Sequence, residues 1–168
     1  MKAHTIIARF VCTAFTMLLL FSAAGQAAAA DIVVFGVDPP GVGVNDPTPA
    51  TPVGGNPGTT LGDQRLNVFN FAAQLWGSVI ESNNTIYVAA SFAPLPCAPT
   101  GGVLGSAGTT FVFRDFVGAP SAGTWYHSSL SDALAGGDLN PGFFDIGSTF
   151  NSDIDDDDPN CLTGRTWY

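Results

Sequence analysis

The sequence predicts an α/β or α+β fold with one long helix towards the N-terminus, about three strands and a second, short helix. The long helix is indicated by apolar residues that recur every three or four positions after Leu61. The first internal strand is indicated by β-branched and aromatic residues that alternate along residues 85–92. No internal repeat is visible, and the predicted order within the domain is helix, strand, strand, helix, strand.

The first 30 residues have the parts of a secretory signal peptide. Lys2 and Arg9 precede an uncharged apolar run over residues 11–21, and the small residues that follow end in alanines up to Ala30. A membrane anchor is the less favoured interpretation, because a helix needs roughly 20 apolar residues to cross a bilayer. We therefore expect cleavage near Ala30 and a secreted or periplasmic protein with no membrane partner afterwards.

Residues 31–60 are predicted to be a lead-in to the domain. Residues 31–35 read as a short strand, because four of them are β-branched or aromatic. Residues 37–60 are dense in Pro, Gly, Asn and Thr, and proline lacks the N–H group that regular structure uses. We expect this second stretch to be extended and loop-like.

The strongest local pattern begins after Thr60. The Thr60 side chain can cap the first turn of a helix, with Asp63 as the acidic partner of a capping box, and Ser82-Asn83-Asn84 supplies a stop. An apolar stripe at helical spacing predicts that the helix lies buried against a sheet or another helix. The stripe consists of Leu61, Val68, Phe69, Ala72, Leu75, Trp76, Val79 and Ile80.

The rest of the chain predicts the remaining strands and the short helix. The strand over residues 85–92 places Ile86, Val88, Ala90 and Phe92 on one face. A second strand is expected over residues 109–116, after a glycine-rich loop over residues 100–108, and a third over residues 146–154. Residues 125–136 are expected to form a helix that ends at glycine and turns Leu130, Ala133 and Leu134 inward.

Charge and cysteine content restrict the partners and the compartment. The expected mature chain carries three basic against fourteen acidic residues, a net charge of −11, which argues against nucleic acid as a partner. Cys97 and Cys161 are its two cysteines, and an even pair in an oxidising compartment predicts a disulfide. Metal binding by this pair is less favoured, because no C-x-x-C spacing is present.

Few residues have the character of a catalytic or metal site. His127 is the only histidine of the mature chain, and H-E-x-x-H spacing is absent, so it is interpreted as a helix-start or surface residue. A triad of Ser128 or Ser129, His127 and Asp132 is disfavoured, because adjacent helical residues do not face one another and no G-x-S-x-G elbow exists. Trp76, Trp125, Tyr126, Trp167 and Tyr168 could stack on sugars or simply belong to a core.

An acidic run near the C-terminus is a weak calcium candidate. Asp153, Asp155 and Asp157 place carboxylates at every second position, an arrangement that can converge on a hard cation. The EF-hand pattern fails at its glycine and at its closing glutamate, so a solvated acidic loop is the favoured alternative. We expect either no specific calcium site or one no tighter than about 10⁻⁴ M.

Several blocks together resemble the start of secreted bacterial proteins that carry a protease-associated (PA) domain. The blocks succeed one another in the order expected of that family and span nearly all of the mature chain. They are GVNDPTPA at residues 43–50, PVGGNPGTTLG at 52–62, QRL at 64–66, AAQLWG at 72–77, LGSAG at 104–108, WYH at 125–127, GDL at 137–139, FNS at 150–152 and CLTG at 161–164.

The resemblance implies an architecture rather than a catalytic residue. In that family the segment ending in Trp167-Tyr168 is followed by a helix with a zinc-binding H-E-x-x-H-G motif, similar to metzincin-like peptidases. It implies that residues 61–168 are the truncated N-terminal part of a metallopeptidase-like domain. Zinc and a polypeptide substrate are then expected only for a full-length protein. The alternative is a complete small secreted binding or surface module without enzymatic activity; the sequence gives no indication of oligomeric state.

Overall fold

A four-stranded sheet organises the computed structural model, which describes residues 28–154 and 159–167. Three strands run parallel in the order β1 (Ile32–Gly36), β2 (Ile86–Ala93), β8 (Ile146–Asn151), and β5 (Gly105–Thr109) pairs antiparallel with β8 at the edge. This mixture of helices and strands confirms the predicted α/β or α+β class. In chain order the elements are β1 (Ile32–Gly36), a 3-10 turn (Gly43–Asn45), α1 (Leu61–Gly77), β2 (Ile86–Ala93), β3 (Cys97–Ala98), β4 (Gly101–Gly102), β5 (Gly105–Thr109), β6 (Val112–Phe113), β7 (Tyr126–His127), α2 (Ser128–Ala135), β8 (Ile146–Asn151) and a 3-10 turn (Ser152–Ile154).

Strand β2 is the centre of the sheet and matches the predicted alternation. Ile86, Val88, Ala90 and Phe92 are buried, and the residues between them are partly exposed. The pairing register sets Ile86 beside Ile32 of β1 and Phe92 beside Phe150 of β8, so that apolar side chains share one face across three strands.

The stretch predicted to be a loose lead-in is tied to the domain. Residues 32–36 form β1, and between residues 37 and 60 regular structure is limited to a 3-10 turn, as the proline and glycine content predicts, but Val44 in that turn is buried. The Asp38 Oδ2 atom accepts hydrogen bonds from the N–H groups of Val44 at 2.8 Å and Phe92 at 2.9 Å. One carboxylate therefore fastens the lead-in to the end of β2.

Helix α1 begins where the capping pattern predicts. The Thr60 Oγ1 atom accepts a hydrogen bond from the Asp63 N–H at 3.1 Å. The helix ends at Gly77, before the predicted stop at Ser82. At Gly77 the helix passes close to the preceding chain, and this position needs glycine because a Cβ atom would lie 2.6 Å from the Ala30 carbonyl oxygen.

The predicted burial of the α1 stripe is wrong for much of its length. Leu75, Trp76 and Val79 are 55%, 63% and 70% exposed, and Val68 and Ala72 are exposed as well. The buried residues of the helix are instead Gly62, Gln64, Arg65 and Gly77. The stripe is exposed because α1 lies mainly against β1 and the 3-10 turn at Gly43–Asn45. One side of its apolar surface therefore faces no element among the described residues.

The second strand lies earlier than predicted. The glycine-rich segment assigned to a loop forms β5, whereas the β-branched and aromatic residues after it form only the two-residue strand β6, paired with β7. Small residues at this edge allow close pairing with β8, since a Cβ atom on Gly105 would lie 2.8 Å from the Thr149 carbonyl oxygen. The position of this strand is therefore determined by close backbone pairing with β8, in spite of the higher β-propensity of the residues that follow it.

Helix α2 is shorter than predicted and presents a different face. It spans Ser128–Ala135 and is capped by Gly136, whose φ of 72° is left-handed. Leu130, Ala133 and Leu134, expected to point inward, are exposed. The buried residues are Ser128, Ser131 and Asp132, because the helix docks through polar contacts at the start of β2 and β8.

The end of the described chain is fixed by a disulfide. Cys97 and Cys161 are bonded to each other, which confirms the predicted pairing. Strand β8 stops at Asn151, three residues before the predicted boundary, and a 3-10 turn follows. Within residues 28–154 and 159–167, no helix is long and apolar enough to cross a bilayer.

Candidate functional site: an apolar groove beside α1

A groove with a volume of about 530 Å³ runs along the sheet beside α1. Its floor is the apolar face of the sheet, and its wall is one side of α1. Only Arg65, Ser129 and Ser148 among its lining residues are polar, and none is acidic. The other lining residues are Ile32, Val34, Val68, Phe69, Ala72, Ala73, Trp76, Ile80, Ile86, Val88, Phe92, Ala107, Ile146, Phe150 and Trp167.

Aromatic rings form one end of the floor. Phe92 and Phe150 are stacked with centroids 5.7 Å apart, and Phe69 of α1 meets the edge of this pair at 6.2 and 5.5 Å. Trp167 meets the same two rings edge-on at 6.2 and 5.6 Å. The four rings form a rigid end to the groove, at the carboxyl ends of the parallel strands.

The two flanks of α1 differ in polarity. Val68, Ala72 and Leu75 follow one another at steps of four and three residues and so form a single exposed apolar stripe, which Val79 extends in the turn after the helix. Asp63, Asn70 and Gln74 form an exposed polar stripe on the opposite flank. The apolar stripe is on the groove side, since Val68 and Ala72 line the groove. A helix of this pattern normally has a neighbour along its apolar flank.

Arg65 is the only charged residue among the described residues that line the groove, and its guanidinium contacts other groups of the protein. Its Nη1 atom donates to the Gly43 carbonyl oxygen at 2.8 Å and lies 3.5 Å from Asp46 Oδ2, and its guanidinium lies 4.8 Å from the centre of the Phe92 ring. Burial raises the pKa of Asp46, but hydrogen bonds from Thr48 and the charge of Arg65 outweigh this and leave that pKa below its usual value.

Gln64, beside Arg65, is also buried and polar. Its Nε2 atom donates to the carbonyl oxygens of Thr51 at 2.8 Å and Gly58 at 3.0 Å. Gln64 and Arg65 therefore attach the lead-in to α1 at two places. The burial of Gln64 and Arg65 was not predicted. The sequence feature that could have indicated it is their position as a polar pair, one turn before the apolar residues of a capped helix.

Asn151 stabilises the end of the groove at which the four rings lie. It is fully buried, its Oδ1 accepts from the N–H groups of Leu95 and Asp153, and its Nδ2 donates to the Val103 carbonyl oxygen at 2.9 Å. Its own carbonyl oxygen accepts a hydrogen bond from Trp167 Nε1 at 2.8 Å. Asn151 thus places Trp167 against the ring cluster, a role that the sequence pattern did not indicate.

A second buried polar group lies outside the groove, where α2 meets the sheet. Asp132 and Asp145 are each 3% exposed and their carboxyl groups are hydrogen-bonded to each other. Asp145 Oδ2 also accepts from the Tyr87 N–H at 2.9 Å, and Asp132 Oδ1 from the Leu139 N–H at 2.9 Å. Burial raises the pKa of Asp132 to about 6; the Asp145 and Asp138 charges act in the same direction, and the Leu139 hydrogen bond acts against them.

The residues considered for a hydrolytic triad are not brought together. His127 is exposed directly before α2, Ser128 Oγ donates to the Asp145 carbonyl oxygen, and the Asp132 carboxylate accepts from Leu139. Ser129 faces the groove. The structural contact or position of each of these residues explains its presence without a catalytic role.

The acidic run and the exposed aromatic residues have separate outcomes. Asp153 lies in the 3-10 turn after β8, and Asp155 and Asp157 lie outside the described residues. In the part of the chain that the structure describes, no three His, Cys, Asp or Glu side chains are grouped so as to hold a metal ion. Trp125 is exposed and its ring lies 4.9 Å from the Arg114 guanidinium.

Comparison of the chain with protein-family models, with curated proteins and with solved structures finds no match.

Proposed function

We propose that the chain is the N-terminal part of an exported zinc metallopeptidase-like protein of the PA-domain-containing type, without catalytic activity by itself. The observation that supports this most directly is the open apolar groove beside α1. Sheets with parallel strands are normally covered by helices on their faces. Here α1 lies on the groove face against β1, α2 reaches the groove through Ser129, and the apolar flank of α1 is exposed.

The sheet is wide enough for one more helix beside α1 on the groove face. Neighbouring strands lie about 4.8 Å apart and a helix with its side chains is about 10–12 Å wide, so a four-stranded face accommodates about two helices. Helix α1 lies against β1, and the groove extends over β2 and β8 to Ala107 of β5. In the proposed full-length protein, this position belongs to the helix with the zinc motif.

The zinc chemistry of the proposed protein lies outside this sequence, which contains no H-E-x-x-H spacing. Zinc, when bound, would polarise a peptide carbonyl and activate water. The contribution of the present residues is to build the neighbouring half of the domain. Gln64 and Arg65 fix the lead-in, and Asn151 fixes Trp167.

The test is the nucleotide sequence beyond codon 168 in the source genome. The expected result is an in-frame or frameshifted continuation that encodes an H-E-x-x-H motif. A genuine stop followed by no such sequence would show that the proposal is wrong. The measurement is independent of whether residues 31–168 fold or associate by themselves.

A complete secreted binding module is the second candidate, and the groove volume favours it. A volume of about 530 Å³ lies within the range of small-molecule sites, and the apolar lining suits a hydrophobic ligand. Native mass spectrometry of the exported product would distinguish the candidates. A stoichiometric apolar molecule, lost in the variant Val88→Asn and retained in the opposite-face variant Ala89→Asn, supports the module.

A further inference from the structure

We propose that the exported chain associates with a second copy of itself, the α1 helix of each copy lying in the groove of the other. The inference goes beyond the proposed function, because it concerns this chain in the absence of any further segment. It starts from the surface beside α1, which carries two complementary shapes. One is a groove wide enough for a helix, and the other is a helix with an exposed apolar flank.

A two-fold arrangement satisfies both shapes at once. With a symmetry axis parallel to α1 and passing over the groove, α1 of one copy lies on β2 and β8 of the partner. The same rotation carries the partner's α1 into the groove of the first copy. Two sheets then enclose two parallel helices side by side. Such an interface is isologous and closed, so association stops at the dimer.

The polarity of the surface suits this contact. The exposed side chains that the second copy would cover are Val68, Phe71, Leu75, Trp76 and Val79, and each is apolar. The groove floor carries no acidic residue, and Arg65 is already paired with Gly43 and Asp46. Asp63, Asn70 and Gln74 remain on the opposite flank, so the charge of Asp63 lies away from the contact.

The area is sufficient for a specific dimer. Helix α1 has 17 residues and is therefore about 25 Å long, and its covered side is about 10 Å wide. Each copy contributes one such helix side and one groove floor. Together the four surfaces amount to about 1,000 Å², which is near the lower limit for specific interfaces. We expect a dissociation constant in the micromolar range, about 1–10 μM.

The experiment uses the product exported when the full 168-residue chain is expressed, with its N-terminus determined. Sedimentation equilibrium across the micromolar range is expected to show a monomer–dimer equilibrium. Leu75→Asp places a charge twice in the interface and is expected to weaken the dimer by about a hundredfold or more. Gln74→Asp adds the same charge to the same turn on the polar flank, and it is expected to change the dissociation constant by less than about threefold.

A second pair of variants tests the groove floor separately. Ala107 lies on the groove side of β5, and Ser106 lies on the opposite face of the same strand. Ala107→Arg is expected to weaken the dimer as strongly as Leu75→Asp, and Ser106→Arg is the matched control. Both pairs concern exposed side chains, so circular dichroism is expected to show unchanged folding.

Three results would overturn the inference. They are a product that is monomeric throughout this range, a dimer insensitive to Leu75→Asp or Ala107→Arg, and a groove occupied by a bound apolar molecule or by a retained segment of residues 11–21. An occupied groove is detected by mass spectrometry, from the added mass of the bound molecule or of the retained segment. None of these results bears on the sequence beyond codon 168, so failure of this inference and failure of the proposed function are distinguishable.

Discussion

Single polar residues hold much of this fold together. Asp38, Gln64, Arg65 and Asn151 each bond to backbone groups from distant parts of the chain. Buried polar groups of this kind cost free energy unless every hydrogen bond is made. The fold therefore depends on individual side chains at places where a larger protein would use apolar packing.

The Asp132–Asp145 pair makes the stability of the protein depend on pH. Asp132 has a folded-state pKa of about 6 against an ordinary value of 3.8, so the folded chain keeps a proton that the unfolded chain loses in this interval. The stabilisation is complete below about pH 4 and is lost as the pH rises through about 6. The free energy of unfolding should therefore fall across this window.

The variant Asp132→Asn should flatten that dependence, because an amide does not titrate. Urea denaturation at a series of pH values measures it, with Glu81→Gln, an exposed carboxylate after α1, as the control. If Asp132→Asn leaves the fall between pH 4 and pH 6 unchanged, Asp132 does not retain its proton in the folded state.

At the scale of elements, α1 is defined by close approach at both ends. A Cβ atom on Gly62 would lie 2.7 Å from the Val44 carbonyl oxygen and 2.8 Å from the Asp46 nitrogen. Both atoms belong to backbone and cannot turn aside as a flexible side chain can. The lead-in and the first turn of α1 therefore fit only with glycine at this position.

Gly62→Ala is expected to lower the free energy of unfolding by about 1–3 kcal/mol, in spite of the higher helix propensity of alanine. Thermal and denaturant unfolding measure this change. Gly137→Ala is the matched control, because its Cβ would meet no heavy atom within 4 Å. A stabilised Gly62→Ala variant would mean that the lead-in does not rest on α1.

The elements that could be predicted are those whose local signals agree with their environment. The cap at Thr60 and the alternation in β2 are local, and both are found. The inward face of α2 was missed because the helix packs through polar residues such as the buried Ser131, and β5 was missed because it forms through backbone pairing with β8 at Gly105. The groove was predicted only in part. The apolar stripe of α1 was recognised, but no sequence pattern specifies which side of that stripe packs against a neighbouring element.

At the scale of the whole molecule, the disulfide joins residues 64 positions apart. In the chain-entropy model a loop of this length contributes about 4 kcal/mol to stability. Residues 31–168, denatured without reductant, should contain no free thiol. A double variant, Cys97→Ser with Cys161→Ser, should lose about 4 kcal/mol of unfolding free energy, and reductant should produce the same loss in the native sequence. Two titratable thiols in the unreduced product would show that the bridge does not form.

The position of that bridge also determines what a nick in the chain would do. Strands β4, β5 and β8 and helix α2 all lie between Cys97 and Cys161. A peptidase that cuts once between them opens a ring without freeing a fragment, and Trp167 stays joined to the piece that carries β1, α1 and β2. A nicked molecule of this kind migrates as one species until a reductant separates it into two. Backbone cleavage between Cys97 and Cys161 and loss of the molecule are therefore two separate events.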